Sequence, residues 1–89
     1  MYQLKLTPRA QRQLDKLPVE DLERIVAALQ QLGDNPRPTG AMKLIGSIYR
    51  IRAGDWRIIY AVFNRENLII VSKIARRSKD TYDRMKELF

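Results

Sequence analysis

The sequence predicts an α+β fold in which a helical hairpin packs on one face of an antiparallel sheet, in the order β-α-α-β-β-β-α. Two observations carry this prediction. Apolar residues recur at helical spacing over residues 7–33, and from residue 44 onward their period changes to two, which is typical of strands with one buried face. The second face of the sheet is expected to lie partly open to water or to a ligand. All 89 residues are expected to form one domain, 1–89.

The first elements are a short strand and the start of a helix. Tyr2, Leu4 and Leu6 alternate with polar residues, which indicates a strand with one buried face. Thr7 has the side chain of a helix N-cap, and Pro8 suits the first helical position because its missing N–H would have no partner there. A helix is therefore expected to begin at Pro8.

A break at Leu17-Pro18 divides the helical region into two helices. Their apolar stripes are Ala10, Leu14 and Leu17 in the first, and Leu22, Ile25, Val26, Leu29 and Leu32 in the second. Gly33 is expected to cap the second helix, and Asn35-Pro36 prevents its continuation. Its first turn holds Glu20, Asp21 and Glu23. The helix dipole favours anions there, so these carboxylates need no catalytic explanation.

Residues 34–43 have the proline and glycine content of a loop. The strands that follow are predicted at 47–53, 56–63 and 68–75, with a turn at 64–67. A short helix with Ser78 or Asp80 as its cap closes the chain, and its apolar stripe consists of Tyr82, Met85 and Phe89.

The composition excludes several kinds of active site. The chain has no histidine and no cysteine, which rules out a Ser-His-Asp triad, disulfides and cysteine-based zinc sites. Carboxylates are scattered, so neither a metal nor another cofactor is expected. The longest apolar run is too short to span a bilayer, and the N-terminus has no secretory signal, so we expect a cytoplasmic protein without a membrane partner.

The charge of the chain is segregated. The net charge is +7, and residues 37–89 carry all of it, because basic and acidic residues balance in residues 1–36. This asymmetry favours an anionic partner, nucleic acid first and an acidic protein segment second. The alternative is a basic surface that only maintains solubility. Arg24, on the neutral part, is expected to tolerate replacement by alanine.

The stretch YRIRAGDWRIIY, residues 49–60, is predicted to form a β-hairpin with a two-residue turn at Gly54-Asp55. Counting outward from the turn places Arg52 opposite Arg57. Alternation then assigns Arg50, Arg52 and Arg57 to one face of the sheet, which we call the arginine face. The helix-packed face receives Tyr49, Ile51, Ile58 and Tyr60.

Like charges directly opposite each other on a sheet are unfavourable, so this arrangement favours a bound anion that offsets the repulsion. Arginine suits phosphate because its planar fork donates two hydrogen bonds. The alternative is a solvated face whose arginine stems cover apolar surface. Further candidate substrate-binding cations are Lys43, Lys73 and Arg76, of which Arg76 is expected on the arginine face because the turn at 64–67 has an even length.

Aromatic residues are interleaved with these cations, as is typical of proteins that stack single-stranded RNA bases. They are Trp56, Tyr60, Phe63 and Tyr82. Core packing is the alternative for each of them, and it is the favoured interpretation for Tyr49 and Tyr60.

Two motifs now identify a family. YRIRAGDWRIIY after a helical hairpin and a loop, and IARRSKDTY before a short helix, resemble the RelE toxins of the RelE/ParE superfamily of bacterial type II toxin–antitoxin systems. The resemblance covers nearly the whole chain and implies a RelE-like fold. It also implies an endoribonuclease that cleaves mRNA in the ribosomal A site without a metal and so inhibits translation. The 2′-hydroxyl attacks the adjacent phosphate, which leaves a 2′,3′-cyclic phosphate and a 5′-hydroxyl. The implied partners are the ribosome with its mRNA and a RelB-like antitoxin.

The resemblance also assigns roles to residues. The paired strand lysines of the family fall on Arg50 and Arg52, and its transition-state arginine falls on Arg57. Its second arginine falls best on Arg77, with Arg76 as the competitor. The tyrosine of the family falls on Tyr82, whose role as a base or as a stacking platform is open, with packing of the last helix as the alternative.

Two other functions are compatible with the same fold. One is a ParE-like inhibitor of DNA gyrase that has no nuclease activity. The other is a non-catalytic RNA-binding module. The retained Arg76-Arg77 pair and Tyr82 favour the nuclease.

Overall fold

The computed structural model describes residues 1–76, in which two helices pack on one face of a five-stranded sheet. The elements are β1 (Gln3–Leu6), α1 (Pro8–Asp15), α2 (Val19–Asp34), β2 (Met42–Ile45), β3 (Ile48–Ala53), β4 (Trp56–Phe63) and β5 (Leu68–Arg76). The strand order is β1-β5-β4-β3-β2. The predicted α+β class is confirmed. The predicted last helix, with Arg77 and Tyr82, lies outside the described residues.

The start of α1 follows from its capping residue. Thr7 has an extended backbone, and its Oγ1 accepts a hydrogen bond from the N–H of Ala10 at 3.2 Å. This bond satisfies one of the N–H groups that the first helical turn leaves without a partner. Pro8 follows at the first helical position, as predicted.

Gly33 does not cap α2, so that prediction is wrong. The helix runs through Gly33 to Asp34, and Asn35 is the capping residue. Gly33 is buried, and its carbonyl accepts a hydrogen bond from the N–H of Tyr2 at 2.8 Å. A Cβ at residue 33 would lie 3.4 Å from the Tyr2 carbonyl oxygen. That is an ordinary contact distance, so the hydrogen bond from Tyr2 is what joins the chain entering β1 to the end of α2.

The sheet is mixed rather than antiparallel throughout. β1 pairs in parallel with β5, whereas the β2–β3, β3–β4 and β4–β5 pairs are antiparallel. The loop predicted at 34–43 is also too long, because β2 begins at Met42 and pairs with β3 across a turn at Gly46, where φ is +51°. Both differences concern short edge strands. The parallel edge joins residues more than sixty positions apart, which a local hydrophobic pattern does not encode.

The core lies between the helices and one face of the sheet, the helix face. Ile25, Leu29 and Leu32 of α2 are buried in one cluster with Ile58 and Tyr60 of β4. Leu22, predicted in the same stripe, is 37% exposed and lies at its margin. Neither α1 nor α2, the helices of residues 1–76, could span a membrane.

Candidate functional site

The β3–β4 hairpin has the predicted register. Gly54 has φ +63°, the left-handed conformation that the two-residue turn requires. Arg52 lies opposite Arg57, and Arg50 lies opposite Ile59. Because paired residues share a face, Arg50, Arg52 and Arg57 lie together on the arginine face. The alternate residues, Ile51 and Ile58, are part of the core on the helix face.

The three arginines differ in exposure. Arg52 is exposed, whereas Arg50 and Arg57 are only 4% and 5% exposed. Ile59, which pairs with Arg50, is buried as well, and Nη2 of Arg50 lies 3.3 Å from Sδ of Met42 on β2. The expected opening of this face therefore holds at Arg52 and not at the other two guanidinium groups. Sequence reasoning missed Met42 because residue 42 was predicted to lie in a loop.

A β-bulge in β5 changes which cations share the arginine face. Val71 pairs with Tyr60, but Lys73 pairs with Ile59, so Ser72 is an extra residue on its strand. The one-residue shift places Lys73 on the arginine face and turns Ile74 into the core. It also reverses the prediction for Arg76, which pairs with Trp56 on the helix face.

Arg76 is held on the helix face by two contacts. Its guanidinium carbon lies 5.0 Å from the centre of the Trp56 ring, and Nη2 lies 3.9 Å from Oδ2 of Asp21 in the first turn of α2. A cation over an indole face is attracted by the ring quadrupole. The predicted position of Arg76 on the arginine face is thus wrong, and Asp21 has a partner that helix-dipole reasoning alone does not reveal.

Two other basic residues also lie away from the arginine face. Lys43 is exposed and pairs with Tyr49, a residue of the helix-face side. Arg37 donates from Nε to the Tyr49 hydroxyl and from Nη2 to Oδ1 of Asn64, both at 3.0 Å. The hydrogen bond to Tyr49 raises the pKa of Arg37. These contacts give Arg37 a structural explanation.

The aromatic residues of the hairpin mostly serve the core. Tyr60 is fully buried, stacks on Tyr49 with ring centres 5.9 Å apart, and donates from its hydroxyl to the Pro36 carbonyl at 2.7 Å. Burial, with a smaller contribution from Tyr49, raises the pKa of Tyr60 to about 12. Core packing is therefore confirmed for Tyr60 and Tyr49. Phe63 is 38% exposed, and Trp56 lies under Arg76.

The hairpin turn is packed against α2 by Arg24. A Cβ built on Gly54 would collide with the Arg24 guanidinium group, so this side chain lies directly over the turn. Arg24 is exposed, and the end of its flexible side chain is what approaches the turn. The expectation that Arg24→Ala is tolerated stays a prediction, and the exposed Arg12 on α1 offers a control residue away from the hairpin.

Arg52 also borders a cleft of about 290 Å³ between the C-terminal half of α2 and the 38–40 loop. Gln31 and Thr39 line the same cleft. The cleft therefore lies beside the hairpin, next to Ile51 and Arg52.

The arrangement concentrates positive charge on one surface. Among residues 1–76, none of the five strands carries an acidic residue. Arg57 lies directly opposite Arg52 and diagonal to both Arg50 and Lys73. Diagonal neighbours on a sheet are about 7–8 Å apart, within reach of long side chains. Such a group of donors can hold a phosphate and stabilise negative charge that develops on it.

Comparisons with known proteins agree with this fold. The sequence model of the ParE toxin of type II toxin–antitoxin systems (parDE) matches residues 4–81. A Methanocaldococcus jannaschii protein that carries the name of a RelE toxin, RelE1, is 31% identical over 81 residues, which cover 85% of this chain and 90% of that protein.

Solved structures give the same family. The RelE–RelB complex of the archaeon Pyrococcus horikoshii matches with a TM-score of 0.81 and 28% identity over 89% of this chain and 98% of that chain. The isolated Escherichia coli RelE toxin matches all of both chains with a TM-score of 0.79 at 18% identity, a likeness of fold. The chain therefore belongs to the RelE/ParE superfamily and is the toxin of a type II toxin–antitoxin system.

Proposed function

We propose that this toxin is a ribosome-dependent endoribonuclease that cleaves mRNA in the A site and thereby inhibits translation. The observation that carries the proposal is the hairpin register, which gathers Arg50, Arg52 and Arg57 on the face of the sheet opposite α1 and α2. A ribose-phosphate chain has one negative charge per nucleotide and offsets the repulsion between these groups. The similarity to RelE1 supports the nuclease among the activities of the superfamily.

The reaction requires no metal. The 2′-oxygen forms a bond to the adjacent phosphorus, the bond from phosphorus to the 5′-oxygen breaks, and the products are a 2′,3′-cyclic phosphate and a 5′-hydroxyl. The phosphate gains negative charge in the transition state, and Arg57 is the central donor for that charge because the other cations of the face surround it. Positioning of the mRNA by the ribosome would supply much of the required orientation. Arg77 and Tyr82 remain predicted participants.

The exposures of the arginines imply an order of contacts. Arg52 is exposed and can meet an RNA phosphate without rearrangement. Arg50 and Arg57 are nearly buried, so a phosphate reaches them only when neighbouring groups move. We therefore assign Arg52 to initial binding and Arg57 to the cleavage step.

The antitoxin is expected to cover this basic region. The net charge of +7 lies in residues 37–89, so an acidic, RelB-like partner would neutralise it. The Pyrococcus horikoshii relative is a RelE–RelB complex, which supports a partner of this kind. Co-expression with the neighbouring open reading frame, read out by growth and co-purification, tests this partner.

Inhibition of DNA gyrase is the second candidate function. The match of the ParE toxin model to residues 4–81 favours it. The same fold supports both activities, so only an assay separates them.

The decisive experiment adds the purified toxin to ribosomes programmed with a defined mRNA and, in parallel, to gyrase with relaxed plasmid. Cuts mapped within the A-site codon, with normal supercoiling, support the nuclease. Blocked supercoiling with intact mRNA contradicts it and supports the ParE-like activity. Binding of RNA with neither mRNA cuts nor blocked supercoiling would support a non-catalytic RNA-binding module.

A further inference from the structure

The bulge in β5 decides where Lys73 lies. Regular pairing from Val71 opposite Tyr60 would place Ser72 opposite Ile59 and Lys73 on the helix face, within the apolar core. The extra residue, Ser72, instead pairs Lys73 with Ile59 and gives the core position to Ile74, which is 1% exposed. Lys73 and the hairpin arginines therefore share the arginine face.

The bulge is fixed by α1 and the residue that caps it. The Ser72 carbonyl accepts hydrogen bonds from Thr7 Oγ1 at 3.3 Å and from Arg9 Nε at 3.1 Å. The N–H of Ile74 donates to Oε1 of Gln13 at 2.7 Å. Side chains of α1 and its cap thus supply partners for the backbone groups that a bulge removes from the ladder. These bonds fix the position of Lys73 on its strand.

The proposed reaction needs a proton acceptor, and arginine does not provide one. Attack by the 2′-hydroxyl requires a proton acceptor, and a guanidinium group keeps its proton throughout the pH range in which proteins function. The sequence has no histidine. Among the cations around Arg57 on the arginine face of the described strands, Lys73 is the one that can exchange a proton. It lies on the neighbouring strand, diagonal to Arg57.

We propose that Lys73 is a catalytic residue whose neutral amine accepts the proton of the attacking 2′-hydroxyl, an inference that rests on the proposed nuclease function. The 2′-oxygen bonds to phosphorus as its proton passes to Nζ of Lys73. The 5′-oxygen leaves with the electron pair of the broken bond and takes a proton from water. Lys73 then returns its proton to solvent, so charge and atoms balance over one cycle.

The test compares the wild type with Lys73→Arg and Lys73→Ala on programmed ribosomes in single-turnover cleavage. Lys73→Arg keeps the positive charge and the contact with phosphate but removes proton exchange, and we expect cleavage at least about 100-fold slower than wild type, the usual contribution of a general base. Binding to the ribosome should be unchanged. Lys73→Ala should be similarly slow, and added ethylamine should raise its rate, whereas added guanidinium at the same ionic strength should not.

Lys16→Arg is the matched control, because Lys16 is exposed and lies between the helices. It should cleave at the wild-type rate. Cleavage by Lys73→Arg within a few-fold of wild type would overturn the inference, as would a Lys73→Ala rate that ethylamine and guanidinium raise equally. A wild-type protein that leaves mRNA intact would instead refute the proposed function itself, so the two failures are distinguishable.

Discussion

Replacement of Tyr60 by phenylalanine removes one buried hydroxyl that joins the sheet to the segment after α2. That hydroxyl donates to the Pro36 carbonyl at 2.7 Å, and the Tyr60 side chain is fully buried. The variant leaves the carbonyl without this donor in a place that water does not reach, which costs about 1–3 kcal/mol of unfolding free energy. For a domain of this size the melting temperature should fall by about 4–8 °C per kcal/mol.

The same hydroxyl makes the free energy of unfolding depend on pH in the alkaline range. The folded protein keeps the phenolic proton up to a pKa of about 12 because Tyr60 is buried. The unfolded chain loses it near pH 10. Between these values the unfolded state binds fewer protons, so the free energy of unfolding falls as pH rises, by up to about 1.4 kcal/mol per pH unit. Tyr60→Phe lacks this dependence, and the stability difference between the two proteins should narrow above pH 10.

Urea denaturation of both proteins at pH 7, 9 and 11 measures these effects. Tyr2→Phe is the matched control, because the Tyr2 hydroxyl donates to Asn64 in an exposed position and its loss should cost less than about 0.5 kcal/mol. Equal stability of Tyr60→Phe and wild type at pH 7 would show that the hydroxyl does not stabilise the fold, and a stability difference that stays constant up to pH 11 would show that its titration is not coupled to unfolding.

Three further predictions concern the hairpin, its neighbours and its charge. Gly54→Ala should lower the unfolding free energy by about 1–2 kcal/mol in denaturant titrations, because the left-handed backbone at φ +63° disfavours a Cβ. An unchanged unfolding free energy would contradict this reason. Asp21→Asn should lower the unfolding free energy by less than about 1 kcal/mol in the same assay, because the ion pair of Asp21 with Arg76 is long and partly exposed. A loss above about 2 kcal/mol would show that this ion pair stabilises the fold more than an exposed pair does. Binding of single-stranded RNA, measured by fluorescence anisotropy, should weaken as the salt concentration rises. Arg52→Ala should reduce the slope of log K against log salt by about 0.7, the contribution of one phosphate contact. An unchanged slope would exclude Arg52 as a phosphate contact.

The hairpin was predictable because its register depends on local chemistry. A two-residue turn with glycine at the left-handed position fixes every pair outward from it, and the pattern of Tyr49 and Ile51 against Arg50 and Arg52 then selects the buried face. The cap of α1 at Thr7 is local in the same sense. Such features need only neighbours in sequence, so sequence patterns predict them.

The features that sequence reasoning missed depend on contacts between distant segments. The bulge at Ser72 is held by side chains of α1 and its cap, more than sixty residues away in the chain. One local signal was present, because regular alternation after Val71 places the charged Lys73 in the core. An extra residue that keeps Lys73 out of the core also places Arg76 on the helix face.

Gly33 shows the same limit in a helix. Its sequence context fits a helix end, but the helix continues to Asp34, and the Gly33 carbonyl accepts the N–H of Tyr2 where the chain entering β1 meets α2. The burial of Arg50 and Arg57 is another tertiary outcome, since alternation assigns a face to a residue and not its exposure. The positions on the hairpin were therefore predictable, whereas the accessibility of the site was not.

If the arginine face carries the cleavage chemistry, Arg57 is the residue whose loss should matter most, and Arg57→Met removes its guanidinium group. Methionine fills a similar volume without the guanidinium group, so the buried position can stay packed, and circular dichroism checks the fold. The measurement is the single-turnover rate of mRNA cleavage on programmed ribosomes, with Arg12→Met as the exposed control. We predict a loss of at least about 100-fold for Arg57→Met and no change for the control. Cleavage by folded Arg57→Met at the wild-type rate would exclude Arg57 from the cleavage step.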